Sequence, residues 1–387
     1  AAALCISCAL IASSLCAQNT SSTQPSGAHN DSDRARDGKP NLTPEQLEQL
    51  KQRAADAKRE PVNIDIVRDV VYATVPISSS DLDNSKQSGA IDSNKPQTME
   101  LLMDCASPKN SENKKLPAVI FIHGGGWTEG SRSAGELHIR ALANAGYFAC
   151  TIDYRLAKDG IYPAAVYDCK AAVRFLRAHA DDLGIDPNRI GAMGYSAGAH
   201  LAALLGTTAN EKDLEGNVGE AGAKSDIACV VDISGPTDLV KLGSTRGGAR
   251  ALGVWFGGSM QEKAAEVKQA SPIDHIDAHD APFLIIHGTD DNLVPLEQAQ
   301  MMRDALKKAG VEVEYLEIEG EGHGVTDPRA MQAAAKFLDA HLGGHLEQTL
   351  DEFQALLRDR GGRGELGRNR KKRNDSESAP KKPNDDG

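Results

Sequence analysis

The stretch Arg189 to Gly206, RIGAMGYSAGAHLAALLG, constrains this chain more than any other. It opens as an apolar run of strand character, turns at Gly194-Tyr195-Ser196-Ala197-Gly198, and continues as Ala- and Leu-rich sequence at helical spacing. A strand that turns this sharply into a helix forces the middle residue of the turn into a strained backbone conformation. It also brings the two elements into close approach. Side chains at the two flanking positions would clash, and both are glycine. The Ser196 hydroxyl is expected to stand clear of the backbone beside the positive end of the helix, the arrangement of a nucleophile elbow. An ordinary tight turn is the alternative reading of a bare G-x-S-x-G.

Around this turn, strand and helix patterns alternate. VNIDIVRDVVYATV (62–75) and TMELLMDCA (98–106) predict an antiparallel start to a sheet. PAVIFIH (117–123) is a continuous apolar run, as in a strand buried on both faces. YFACTID (147–153), IACVVDI (227–233), PFLIIH (282–287) and EVEYLEI (312–318) read as further strands. Helices are expected over 133–145, 163–181, 295–309 and 328–342. The fold class is therefore α/β: a mostly parallel eight-stranded sheet with helices on both faces. Residues 236–280, rich in Gly, Lys and Glu, interrupt the alternation and are expected to form a small cap above the carboxyl edge of the sheet.

The globular domain is expected over 62–342, and the sequence around it has another character. Residues 1–17 are apolar and small, like the core of a signal peptide with cleavage near Ala17, which implies a secreted or periplasmic protein. No Met or basic stretch precedes them, so the leader reads as truncated; Cys16 lacks the small residue normally found before a lipid-anchored cysteine. Residues 18–61 read as a polar linker with one short helix capped by Thr43, and 77–96 as a polar loop insert. Residues 343–387 form a charged tail with one amphipathic turn set (Leu346, Leu350, Phe353, Leu357). Within it, 358–373 carry eight Arg or Lys against two acidic residues, which reads as a solvated extension or, more sharply, as a contact for an anionic polymer or cell surface.

Composition excludes some classes of function. A net charge of −12 argues against general nucleic-acid binding. An aromatic content of 4% gives little support to a stacking platform for sugars. Cys5 and Cys8 make one C-x-x-C inside the apolar first seventeen residues, and no second such pair or Cys/His cluster stands among the seven cysteines, so no metal is expected. Cys105, Cys150, Cys169 and Cys229 lie in apolar sequence and read as buried free thiols, with one disulfide left open. No membrane-spanning segment is expected in the mature chain.

A serine hydroxyl is a poor nucleophile at neutral pH; it needs a base, the base needs an orienting acid, and the developing oxyanion needs donors. His323, in EGEGHGV after the last strand, is the expected base. His200, one turn along the helix from Ser196, would point beside the serine's backbone. The acid falls in HGTDDNLVP, where Asp290 and Asp291 compete; Asp291 is the expected acid and Asp290 a turn residue bonding local amides. HGGGW, directly after the strand PAVIFIH, supplies Gly125 and Gly126, whose N–H groups with that of Ala197 are the expected oxyanion hole. This loop lacks the Lys-Ser/Thr ending of a phosphate-binding loop. His123 is expected to hold the loop. Trp127 and Tyr195 are candidates for the substrate pocket, Trp127 equally for packing. The chain order Ser, Asp, His suits an acyl-transfer triad. No cofactor is required.

HGGGW, DYRLA (153–157), YPAAVYD (162–168), GYSAG, ASPIDHI (270–276), HGTDDNLVP and EGEGHG occur together and in order. On these motifs, residues 62–342 resemble carboxylesterases of the α/β-hydrolase superfamily, most closely the bifunctional feruloyl/acetyl-xylan esterase-like (BD-FAE) branch related to the hormone-sensitive-lipase group. The resemblance implies Ser196 as nucleophile, Asp291 as acid, His323 as base, and Gly125, Gly126 and Ala197 as oxyanion donors. It gives Asp153, Arg155 and Asp168 a bracing role. It implies hydrolysis of short-chain acyl esters through an acyl-enzyme, with a small-molecule or carbohydrate ester as partner, such as an acetyl or feruloyl group on a polysaccharide. An aryl-formamidase or other amidase with the same triad is the rival within enzymes; a non-catalytic binding protein on the same scaffold is the rival outside them. Oligomeric state, acyl chain and alcohol are not legible.

Overall fold

The computed structural model describes residues 64–76, 98–109, 111 and 115–344. The expectations for the leader, the linker, the 77–96 insert and the charged tail beyond 344 fall outside the described residues.

Eight strands form one sheet: β1 (Ile64–Pro76), β2 (Thr98–Pro108), β3 (Leu116–Ile122), β4 (Phe148–Ile152), β5 (Ile185–Tyr195), β6 (Val230–Ile233), β7 (Phe283–Gly288) and β8 (Val313–Ile318). Their spatial order is β1-β2-β4-β3-β5-β6-β7-β8. β1 pairs antiparallel with β2, and β2 with β4, while all remaining pairs are parallel. The mostly parallel eight-stranded α/β expectation holds. Every residue of β3, β4 and β7 is buried, which is why these strands read as unbroken apolar runs. At one edge, β8 leaves Glu314 and Glu317 exposed, charges that discourage further strand pairing.

Two apolar cores flank the sheet. On one face, α1 (Glu136–Asn144) and α6 (Pro328–Leu342) pack Ile139, Leu142, Phe337 and Leu338 against Val119, Met193 and Ile286. On the other, α2 (Ala164–Ala178) and α3 (Ala197–Thr207) pack Leu176, Leu201 and Leu204 against Ile120, Ala192 and Ile285. Residues 236–280, expected as a cap, carry short helices at Leu239–Leu242 and Ala264–Gln269 on either side of the longer α4 (Arg246–Phe256). α5 (Glu297–Ala309) then connects β7 to β8.

The cysteines illustrate how register decides contact. Asp153 N–H donates to Leu102 O at 2.9 Å across β2 and β4, so that pair is hydrogen-bonded. Cys105 and Cys150 face one another three positions along. They therefore form a non-hydrogen-bonded pair, the kind in which opposed side chains come closest. All four thiols, Cys105, Cys150, Cys169 and Cys229, are nevertheless free and buried. Burial pushes the Cys105 thiol up to about 12 and that of Cys150 well above its ordinary range, so neither forms the reactive thiolate near neutral pH.

Candidate active site

The turn from β5 into α3 has the shape its glycines require. Ser196 sits at φ 55°, ψ −122°, in the left-handed half of backbone space. Its N–H donates to Ile233 O at 2.9 Å, which pins the strained residue to the neighbouring strand. A Cβ on Gly194 would collide with the Gly198 carbonyl, and one on Gly198 with the Ile122 carbonyl of β3. Neither position can carry a side chain without separating the elements that hold the serine.

Three loops at the carboxyl ends of their strands bring the remaining groups together. His323, after β8, places Nε2 2.8 Å from Ser196 Oγ and Nδ1 2.7 Å from Asp291 Oδ2. A carboxylate only accepts, so Nδ1 carries the proton and Nε2 is free to accept from the serine hydroxyl. Asp291, after β7, also accepts the Leu293 and Val294 amides on Oδ1, each at 2.9 Å. Burial alone would raise this carboxyl. The hydrogen bonds from His287, His323 and Val294 outweigh it and hold Asp291 well below the ordinary carboxylate range. Asp290 corrects one expectation: it does not bond local amides but takes only the Thr289 hydroxyl, at 3.3 Å. Asp291 makes the amide bonds itself, so one residue serves both as the turn's anchor and as the imidazole's partner.

The oxyanion donors follow from peptide geometry. In a trans peptide the C=O and the next residue's N–H point in opposite directions. Gly124 O accepts from His123 Nδ1 at 2.7 Å, and Gly125 O accepts from the Thr128 and Glu129 amides at 3.1 Å. The N–H groups of Gly125 and Gly126 therefore point away from those partners. Ser196 O accepts from His200 N in the first turn of α3, which turns the Ala197 N–H outward from the helix. Gly124 lies against Ser196: a Cβ built there would stand 3.2 Å from the serine Cβ. The glycine loop and the elbow thus share one small space.

Other singled-out residues brace this space. His123 is buried, stacks on Tyr154 at 4.4 Å, and is kept neutral by burial, which lowers its proton affinity. His200 points away from the serine hydroxyl; its Nδ1 accepts from Trp127 Nε1 at 3.3 Å and its Nε2 donates to Ala270 O at 2.7 Å. Arg155 clamps Asp168, fully buried on α2, through Nε and Nη2. Asp153 binds both the backbone N–H and the guanidinium of Arg132. Arg132, which the motifs do not flag, also reaches Asp104 at 2.9 Å and so ties the far end of the glycine loop to β2.

Of the two pocket candidates, Trp127 belongs to the frame. Trp127 is 3% exposed and stacks on Trp255 of α4 with ring centroids 4.6 Å apart, so its indole is packed in the core. Tyr195 donates its hydroxyl to the His323 carbonyl at 2.7 Å and positions the base's loop.

A serine at a strained strand-to-helix turn, an imidazole oriented by a buried carboxylate, and outward-facing amides on an eight-stranded mostly parallel sheet together make the α/β-hydrolase fold with a Ser-His-Asp arrangement at the carboxyl ends of its strands. The BD-FAE family model matches residues 103–306. The chain belongs to this family. It is similar to Esterase LipC of Mycobacterium tuberculosis, 36% identical over 229 residues that cover 58% of this chain and 56% of the relative. The chain spans about half the length of the curated relatives it matches. Among solved structures, a truncated carbohydrate esterase from gut microbiota is 27% identical with a TM-score of 0.57, the match covering 72% of this chain and 96% of that one. Propionate-bound esterase Est2 of Thermogutta terrifontis is 29% identical with a TM-score of 0.54, the match covering 62% and 89%.

Proposed function

We propose that this protein is a serine carboxylesterase that hydrolyses short-chain acyl esters through an acyl-enzyme. The carrying observation is the continuous chain of contacts from Ser196 Oγ to His323 Nε2 at 2.8 Å and from His323 Nδ1 to Asp291 Oδ2 at 2.7 Å. Ser196 attacks the ester carbonyl while His323 takes its proton, and Asp291 stabilises the imidazolium. The oxyanion is met by the amides of Gly125, Gly126 and Ala197. His323 then protonates the departing alcohol, and water repeats the sequence on the acyl-enzyme. A propionate bound to the Thermogutta relative supports a small acyl group.

The substrate we favour is an acetyl or feruloyl ester on a polysaccharide. The gut-microbiota carbohydrate esterase supports this class, and the apolar residues 1–17 support export to where such polymers lie. The test is release of acetate and ferulate from acetylated and feruloylated xylan. It runs beside short-chain p-nitrophenyl esters and a formyl-amide, with wild type and Ser196→Ala. Serine-dependent release from xylan is the expected result. Turnover of the formyl-amide alone would replace the esterase by an amidase, and no turnover by folded wild type would leave a binding protein.

A further inference from the structure

Asp291 holds a second histidine besides the base. His287, in β7, is fully buried, with Nε2 3.2 Å from Asp291 Oδ2 and 2.9 Å from the Val294 carbonyl oxygen. A carbonyl oxygen only accepts, so Nε2 carries a proton and shares it between Val294 and the carboxylate. Asp291 Oδ2 thus takes the N–H of His323 and stands 3.2 Å from His287 Nε2, while Oδ1 takes the two backbone amides. Four N–H groups therefore converge on the carboxylate, and only one of them belongs to the base.

The surroundings of His287 are built for this. Its Nδ1 is buried with no hydrogen-bond partner among the described residues, a cost to stability that the contacts of Nε2 offer a reason to retain. Asp232 on β6 pairs with Ile285, two residues before His287, so both side chains lie on one sheet face. Asp232 is itself buried, its Oδ1 taking the Gly235 amide at 2.8 Å. On β8 the register partner is Glu317, whose carboxylate is exposed and held by Tyr315 and Gln300. The charged or titratable groups facing His287 are therefore Asp291, His323, Asp232 and Glu317. Burial opposes charge on His287, but the Asp291 hydrogen bond and the nearby carboxylates outweigh it and raise its proton affinity.

We infer that His287 is a positioning residue for the base: its N–H on Asp291 Oδ2 fixes the carboxylate's orientation and limits how strongly that carboxylate draws the proton of His323. This rests on the serine-hydrolase reading above. A carboxylate with one donor fewer is a stronger acceptor and holds the imidazolium more tightly. Removing the donor should then slow proton return from His323 and move the acid limb of the kcat/KM profile to higher pH.

The test compares wild type with His287→Leu and His287→Asn, which remove the donor, and His287→Gln, whose amide nitrogen can reach the same place. With a short p-nitrophenyl ester, Leu and Asn should lower kcat about tenfold with KM within about twofold, and raise the acid limb by roughly half a unit to one unit. Gln should restore most of both. NMR titration of the His323 imidazole in the full chain reads the same displacement without substrate, so it decides the inference even if no ester is turned over. Asn serves if Leu does not fold. Unchanged kcat and an unmoved titration in folded Leu or Asn variants would overturn the inference. So would a fall in kcat with the acid limb in place and no recovery by Gln, since that is the signature of packing alone. Failure of the esterase reading shows separately, as turnover that Ser196→Ala does not abolish.

Discussion

Replacing Asp291 by Asn tests the site at its most constrained point. Leu293 and Val294 both donate to Oδ1, so that atom must remain an oxygen. The new NH2 group is therefore forced into the place of Oδ2, facing His323 Nδ1 at 2.7 Å and His287 Nε2 at 3.2 Å. Two donors cannot face each other. His323 must give up the proton on Nδ1 and carry it on Nε2, where it points at the Ser196 hydroxyl and cannot accept. The base is then present, in place, and in the wrong tautomer. The expected loss is about 10⁴-fold in kcat, or about 5 kcal/mol of transition-state stabilisation, with KM little changed. Asp290→Asn is the matched control. Its side chain takes only the Thr289 hydroxyl, so activity should stay within about twofold. Initial rates on p-nitrophenyl acetate, with circular dichroism to confirm folding, read both. An Asp291→Asn enzyme within tenfold of wild type, or an Asp290→Asn enzyme that loses activity, would refute the tautomer argument.

Two further outcomes test the frame. Gly198→Ala drives a methyl group into the Ile122 carbonyl, where β3 and α3 meet; it should cost at least about 3 kcal/mol and lower the melting temperature by several degrees or abolish soluble expression. His138 is half-buried, stacked on Phe121 with rings 4.1 Å apart and its Nδ1 sealed from solvent without a partner, and this desolvation pushes its imidazole down to about 4. The unfolded chain binds this proton near pH 6.5 and the folded chain does not, so the group's contribution is lost as pH falls from about 6.5 toward 4. His138→Phe should therefore gain on wild type by about 3 kcal/mol between pH 7 and pH 4 in urea unfolding, and a pH-independent difference would contradict the burial argument.

Much of this architecture was legible because the sequence signals were redundant. β3 and β7 were readable as unbroken apolar runs because both faces are covered, and Ser196 because two glycines and a change of period mark one turn. His323 and Asp291 each follow a strand, which limits where a loop residue can go. What stayed hidden depends on contacts between distant segments. Nothing local marks His287 as a partner of Asp291, since a histidine ending an apolar strand has no distinguishing period. Trp127 could be read equally as wall or as core until Trp255, far along the chain, was found stacked on it. Asp290 and Asp291 differ by one position, and only the direction of two amides separates their roles. Arg132 carried no motif at all; it matters because Asp104 and Asp153 happen to flank it in space.

The Trp127–Trp255 stack has a consequence for how such an enzyme can change its diet. A cap that merely roofs a site could be exchanged like a lens, altering which substrates enter while leaving the turnover machinery alone. Here Trp255 of α4 lies flat on the residue that directly follows Gly126, and the same Trp127 indole reaches back to His200 on the helix that begins after Ser196. Remodelling the α4 segment therefore reaches the turnover machinery as well as whatever that segment covers, and a replacement lacking a flat partner for Trp127 should slow every substrate alike.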